Sequence, residues 1–489
     1  MNLETEPENT LVEQKKKNPN TIFGILCVIG AIIITLVFPS IFSFHTLCIY
    51  QVSYIKHNGG DAKVLYTTFY YPVNNIFQSI FGLFVGIIFD KVGVHWSNLI
   101  GTAFFVLAGF IMYISNRFYL DMISEALFGV SMAILYCPSG LNACLYFMNH
   151  IGLINGLIET ASSVGTTVFT YIGEELINPD RIPSDPIDNL YNKEIAKRVK
   201  TYILIQIFGT IGSYIVEEII TKTYDENNKE EFSIKFLFKI NEIKSLCRKK
   251  NDSNLIDEGR ENIQSVGTEM SDVNRNETEI DGAKIKKTRK EKIMMALKSW
   301  KFWKYNLISL TSNPIGNTIF SLYRSMGESH NIDQNILQLM GTLSFITQFI
   351  TNFVFGVLCD YVNFSVLMFI CNILGTVGGI LYFESLNYSI FFLIIILLVS
   401  LQNAAYSSLK DYHLMKVFGT EIYIDLTGVV NLTTGILVII LTALIYFVEQ
   451  IVEDKDAVYA IIFPIFGLIN FISVILGYFL DNEPFDYGE

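Results

Sequence analysis

Charge is what this sequence has least of. Only 17% of its 489 residues are Asp, Glu, Lys or Arg, against 51% hydrophobic and 14% aromatic. The scarcity is also uneven. Residues 221–304 hold 19 Lys/Arg and 15 Asp/Glu, 34 of the 82 charges, which leaves 48 for the other 405 residues. Those 405 are charged at about 12%, roughly half the usual share in a globular protein. Mean hydropathy is +0.40. A water-soluble fold of this size cannot cover its surface with so few charges, so the length reads as one polytopic membrane protein rather than about three soluble domains.

Other absences narrow the function. The seven cysteines, at 27, 48, 137, 144, 247, 359 and 371, form no CxxC pair and have no histidine at metal-ligand spacing. A disulfide scaffold or a zinc site is therefore not expected, and a thiol in an apolar run behaves as a small hydrophobe. No GxxxxGK[ST] loop is present, which argues against ATP-driven transport. No nucleophile–base pair or metal cluster points to an enzyme, and nothing calls for a cofactor. A net charge of −12 argues against nucleic acid. The polar N-terminus MNLETEPENTLVEQKKKNPN is unlike a cleavable signal peptide, and the apolar run after it is too long for one.

What is present is long apolar runs. A bilayer core of about 30 Å takes roughly 20 apolar residues per helix. Candidate spans fall near 22–44, 66–89, 97–115, 119–141, 152–173 and 201–220, then 305–324, 335–358, 364–384, 388–409, 423–447 and 458–480. The runs are continuous rather than alternating, which predicts helices and not strands. The expected architecture is an all-α polytopic membrane protein of twelve spans. Residues 1–220 form one six-helix bundle, 221–304 a charged linker and 305–489 a second bundle. Lys15–Lys17 precede the first span, and 19 of the 35 basic residues lie in the linker. Basic residues favour the cytoplasmic side, so both termini and the linker are expected in the cytosol. The linker's charge density leaves little to bury, although Phe232–Ile243 has the pattern of an amphipathic surface helix.

The two halves repeat each other. Gly86-Ile-Ile-Phe-Asp90 follows the second span and Gly356-Val-Leu-Cys-Asp360 the eighth, at an offset of 270 residues. Val130-Ser131 through Gly152 aligns with Val399-Ser400 through Gly419 at nearly the same offset. Such internal repeats build carriers whose site lies at the interface of the halves and is exposed alternately to either side.

These residues resemble the major facilitator superfamily. Its loop between the second and third spans reads Gly-x-x-x-Asp-Arg/Lys-x-Gly-Arg/Lys-Arg/Lys. This chain has Gly86, Asp90, Lys91 and Gly93, then departs with Val94 and His95. The second copy keeps Gly356 and Asp360 but has Tyr361 for the basic residue. Tyr136-Cys-Pro138, Gly152-Leu-Ile-Asn-Gly156 and Ala296-Leu-Lys-Ser-Trp-Lys-Phe-Trp303 are similar to the oxalate/formate antiporter and monocarboxylate branch. An amino-acid carrier, or a non-transporting receptor on the same scaffold, are the alternatives. The resemblance implies that Asp90 meets the start of the eleventh span, where a helix N-terminus favours a carboxylate. Lys91 is then expected to pair with Asp425, one turn into the same helix.

Ionisable residues inside spans are costly and are functional candidates by default. Glu159, among Thr160, Ser162, Ser163, Gly165 and Thr166, and Glu125 are candidate proton-coupling carboxylates, since desolvation penalises an ionised carboxyl. The plainer readings are a hydrogen bond to a neighbouring helix for Glu159 and pairing with Arg117 for Glu125. Tyr70, Asn74 and Gln78 share one face of the second span, as Asn313 and Asn317 do in the seventh. With Tyr136, Arg324, Gln348, Gln402 and Tyr406 they form the candidate substrate pathway, against the commoner fate of inter-helix hydrogen bonding. Lys410 and Asp411 read as solvated charges at the end of the tenth span. The expected partners are a small solute and the lipid bilayer, with the chain acting as a monomer.

Overall fold

Proline and glycine divide the apolar runs into helices. The computed structural model describes residues 21–182, 184–185, 190–221, 288–330, 332–451, 455–480 and 483–487. The surface helix expected at Phe232–Ile243 and the rest of residues 222–287 lie outside the described residues. α1 (Thr21–Val37) gives way to α2 (Ser40–His57) around Pro39, whose ring carries no N–H to continue the helical ladder. Together they form span 1. α3 (Tyr70–Ile114) has 45 residues, about twice the length that a bilayer accommodates. At Gly93 the backbone leaves the helix with φ 77°, a conformation that side chains disfavour, and this separates spans 2 and 3.

The remaining helices follow in order. α4 (Phe118–Tyr146), α5 (Ile151–Ile177) and α6 (Lys193–Ile220) are spans 4 to 6. α7 (Arg289–Lys298) lies in the last part of the expected linker, and α8 (Trp300–Ser329) is span 7. α9 (Gln334–Tyr361), α10 (Phe364–Ser385), α11 (Ser389–Phe418), α12 (Tyr423–Ile451) and α13 (Lys455–Tyr478) are spans 8 to 12. No strand occurs among the described residues. The described helices thus make twelve passes, in two sets of six. Several run past their expected ends, and span 10 extends nine residues beyond position 409.

The end of the bundle reached by residues 221 and 288 is the linker end, and the opposite end is the distal end. The halves meet where span 2 packs on span 11 and span 5 packs on spans 8 and 10. Toward the linker end one apolar core serves both halves, with Val85, Val130 and Ile154 joined to Tyr305, Leu409, Leu426 and Val430. Toward the distal end the described apolar cores are separate. One contains Phe44, Tyr70, Phe128 and Ile203 of the first half, the other Met326, Leu337, Phe392 and Phe463 of the second. The structure is therefore closed at the linker end.

Candidate functional site

Two glycine-lined helix crossings close the linker end. Where span 5 meets span 8, a Cβ on Gly156 would lie 2.7 Å from the Gly356 Cα and 2.8 Å from the Asn352 carbonyl oxygen. One turn nearer the linker end, the N–H groups of Gly152 and Leu153 donate to the two carboxylate oxygens of Asp360, at 3.0 and 2.9 Å. Asp360 thereby satisfies orphan donors at the start of α5, where the helix dipole also favours its charge. Where span 2 meets span 11, a Cβ on Gly428 would lie 2.5 Å from the Gly82 carbonyl oxygen. The Asp425 carboxylate rests directly on Gly86.

Gly86 and Asp90 thus lie where the two halves cross, but the ionic partners there differ from expectation. Asp90 pairs with Arg289 of α7 and not with the N-terminus of α12. Asp425 pairs with the same Arg289, through Nε at 3.1 Å and Nη2 at 2.6 Å, so Lys91 is not its partner. Lys91 is exposed. The helix N-terminus that does receive an aspartate is that of span 5, from Asp360. His95, at a position where basic residues are usual, lies 2.8 Å from Glu218.

A charged seam runs between the halves above these crossings. Asn155, Glu159 and Ser163 recur every four residues on α5 and share one face. Asn155 donates to the Ser408 carbonyl at 3.2 Å, and Asn352 donates to the Ser163 hydroxyl at 2.9 Å. Glu159 is buried, and its Oε1 has no hydrogen-bond partner. It lies within electrostatic reach of Lys410 and Asp411 across the seam. The Lys410 ammonium sits 4.0 Å from Asp411 Oδ1, 3.5 Å from Asn431 Oδ1 and 6.0 Å from the centre of the Tyr136 ring. Glu159, Lys410 and Asn431 each lie eight residues from the linker end of their helices, about 12 Å in at 1.5 Å per residue.

Lys410 and Asp411 are therefore not solvated end charges. The lysine side chain is 13% exposed and the aspartate 1%. The signal in the sequence is the apolar continuation Leu414, Met415, Val417 and Phe418, all buried, which carries the helix onward.

The other candidates are dispersed. Glu125 lies in the first half toward the distal end and is fully buried. Its Oε2 is 3.0 Å from His45 Nε2 and accepts from Asn74 at 3.3 Å. Arg117, the expected partner, donates instead to the Gly59 carbonyl. Tyr70 donates to Asp121 at 2.6 Å, so it joins the same buried cluster rather than the seam. Gln78 and Gln348 are half-buried. Gln402 and Tyr406 are buried within the second half, where Gln402 reaches the Ser312 carbonyl at 3.5 Å. The side chains of Asn313, Asn317 and Arg324 lie outside the described residues. Of the expected pathway, Tyr136 and Tyr406 are placed beside the seam's charges, Tyr136 next to Lys410 and Tyr406 within electrostatic reach of Asp411.

Residues 307–488 match the family described as Major Facilitator Superfamily. No curated protein matches the chain in sequence. Among solved structures the fold is similar to the proton:xylose symporter XylE bound to 6-bromo-6-deoxy-D-glucose. The TM-score is 0.66 at 11% identity, over 95% of this chain and 97% of that one. The E. coli fucose:proton symporter FucP gives 0.61 at 10% identity, over 95% and 100%. The human organic anion transporter MFSD10 gives 0.63 at 10%, over 94% and 99%. Likeness at such identity speaks to fold, and the sequence match is to the superfamily rather than to a branch of it. The second half thus matches the Major Facilitator Superfamily in sequence, and the chain along its length shares the fold of these solved transporters.

Proposed function

We propose that the chain carries a small monocarboxylate-like organic anion by alternating access, coupled to protons. The observation that carries this reading is Lys410, largely buried between the halves beside Glu159 and Asp411. An ionisable cluster inside a bilayer is costly and persists for function. The Lys410 ammonium has three donors and no acceptor, which suits a carboxylate. Glu159, with one oxygen unpartnered, is the group assigned to carry the proton. Tyr136 and Asn431 border the same space, and the residues of spans 2, 7, 8 and 10 named above are proposed to line the route to it. The name of one protein of similar fold includes organic anion transport, and the names of two others include proton symport.

A zwitterionic amino acid is the second reading. It is favoured by one feature, the presence of two carboxylates beside one lysine, which can serve an ammonium as well as a carboxylate. In either case, 1–220 and 305–489 are the rocking halves of a monomer. Residues 221–304 are the cytosolic linker, and the crossings at Asp90 and Asp360 are the cytosolic gate. Uptake by proteoliposomes, presented with labelled monocarboxylates, amino acids and sugars, tests the assignment. Saturable uptake of a monocarboxylate, lost in Lys410→Gln, supports it. Transport of sugars alone overturns it.

A further inference from the structure

The two crossings are equivalent in the repeat but are not held in the same way. At the span 5–span 8 crossing, Asp360 is satisfied by two backbone N–H groups of the opposing helix and needs nothing else. At the span 2–span 11 crossing, two carboxylates face each other. Asp90 belongs to the first half and Asp425 to the second, and Asp425 packs on Gly86. Like charges so placed repel, and the group between them is Arg289.

Arg289 belongs to neither bundle. It is the first residue of α7, whose start is fixed by a capping box. The Thr288 N–H donates to Glu291 Oε2 at 2.8 Å, and the Glu291 N–H donates back to the Thr288 hydroxyl at 3.4 Å. Further along, Lys292 pairs with Glu421 at 2.9 Å and lies 5.6 Å from the Tyr487 ring, while Ala296 is fully buried. α7 is thus seated on the second half and extends the Arg289 guanidinium to the first. Its planar fork suits two carboxylates at once in a way that an ammonium does not.

We infer that Arg289, carried by the linker, is the positioning residue that holds the linker-end gate shut. One crossing closes by itself, whereas the other closes only while α7 is docked. The inference rests on the alternating-access reading above, but it can fail or stand separately, because its readout is access to the gate rather than movement of solute.

Native thiols report that access. Cys144 and Cys359 are buried in the apolar core shared by the halves at the linker end, and Cys48 is buried in the distal core of the first half. In a Cys247→Ser background, a membrane-impermeant maleimide would be applied from the linker side of sealed vesicles. Arg289→Gln should raise the labelling rate of Cys359 and Cys144 by about 5- to 150-fold, the range of typical coupling energies. Cys48 should remain unlabelled, which separates gate opening from unfolding. Arg289→Lys should fall between, and adding Asp90→Asn to Arg289→Gln should lower the rate again by relieving the repulsion. Unchanged labelling in Arg289→Gln would overturn the inference, as would equal labelling of Cys48. If labelling rises while no solute is transported, the latch stands and the transport assignment falls.

Discussion

Gly156→Ala is the substitution whose effect follows most directly from the geometry. Its methyl group would lie 2.7 Å from the Gly356 Cα and 2.8 Å from the Asn352 carbonyl oxygen, both backbone atoms. Non-bonded carbons rest at about 3.5–4.0 Å, so spans 5 and 8 must part by roughly 1 Å. No side-chain rotation can relieve the clash. Overpacking of this kind costs about 1–3 kcal/mol. The cost falls on the closed state, because the crossing is broken when the linker end opens. Coupling energies of that size shift an equilibrium by about 5- to 150-fold. Maleimide labelling of Cys359 from the linker side should rise accordingly, and net uptake should slow because the closed state is reached less often. Gly212→Ala is the control, because nothing lies within 4 Å of the position its methyl group would take and labelling should stay at the wild-type rate. Wild-type labelling in Gly156→Ala, or an equal rise in Gly212→Ala, would refute this account of closure.

The seam gives further tests. Lys410→Gln removes the cation assigned to the substrate carboxylate, and a charged hydrogen bond is worth about 1.5–3 kcal/mol. Uptake of a monocarboxylate into proteoliposomes should fall at least about tenfold, with Lys410→Arg retaining part of it. Glu159→Gln should leave solute exchange intact but remove its acceleration by an imposed proton gradient, measured as counterflow against gradient-driven uptake. Glu125→Ala should act on stability, because it leaves His45 and Asn74 without their shared acceptor. Loss of one partner from a buried pair costs roughly 3–5 kcal/mol, visible as a lower melting temperature in detergent. If Glu125→Gln also removes gradient dependence, the proton route passes through the distal cluster.

The fold was legible because its signals are long-range averages. Apolar runs of about 20 residues, the basic linker and the 270-residue echo of Gly86…Asp90 at Gly356…Asp360 each survive error in single positions. Gly86, Asp90 and Asp360 lie at the two helix crossings between the halves. The partners were not legible. That Arg289 rather than Lys91 reaches Asp425 depends on where α7 docks, and residues 289 and 425 are far apart in sequence. The depth of Lys410 is not legible because the apolar run falters at a Lys-Asp pair, and helix ends are the least marked feature of a sequence. His45 gave no signal as the partner of Glu125, since eighty residues separate them and one histidine in an apolar helix is unremarkable.

In the proposed cycle the seam of Lys410, Glu159 and Asp411 binds an organic anion and moves a proton with it. The most direct measurement is the internal pH of proteoliposomes, followed with a trapped pH dye as a short monocarboxylate is added outside. Wild-type protein should acidify the interior as labelled solute enters. Glu159→Gln should show solute exchange without acidification, and Lys410→Gln should show neither. Solute entry and acidification unaltered by both substitutions would contradict the account.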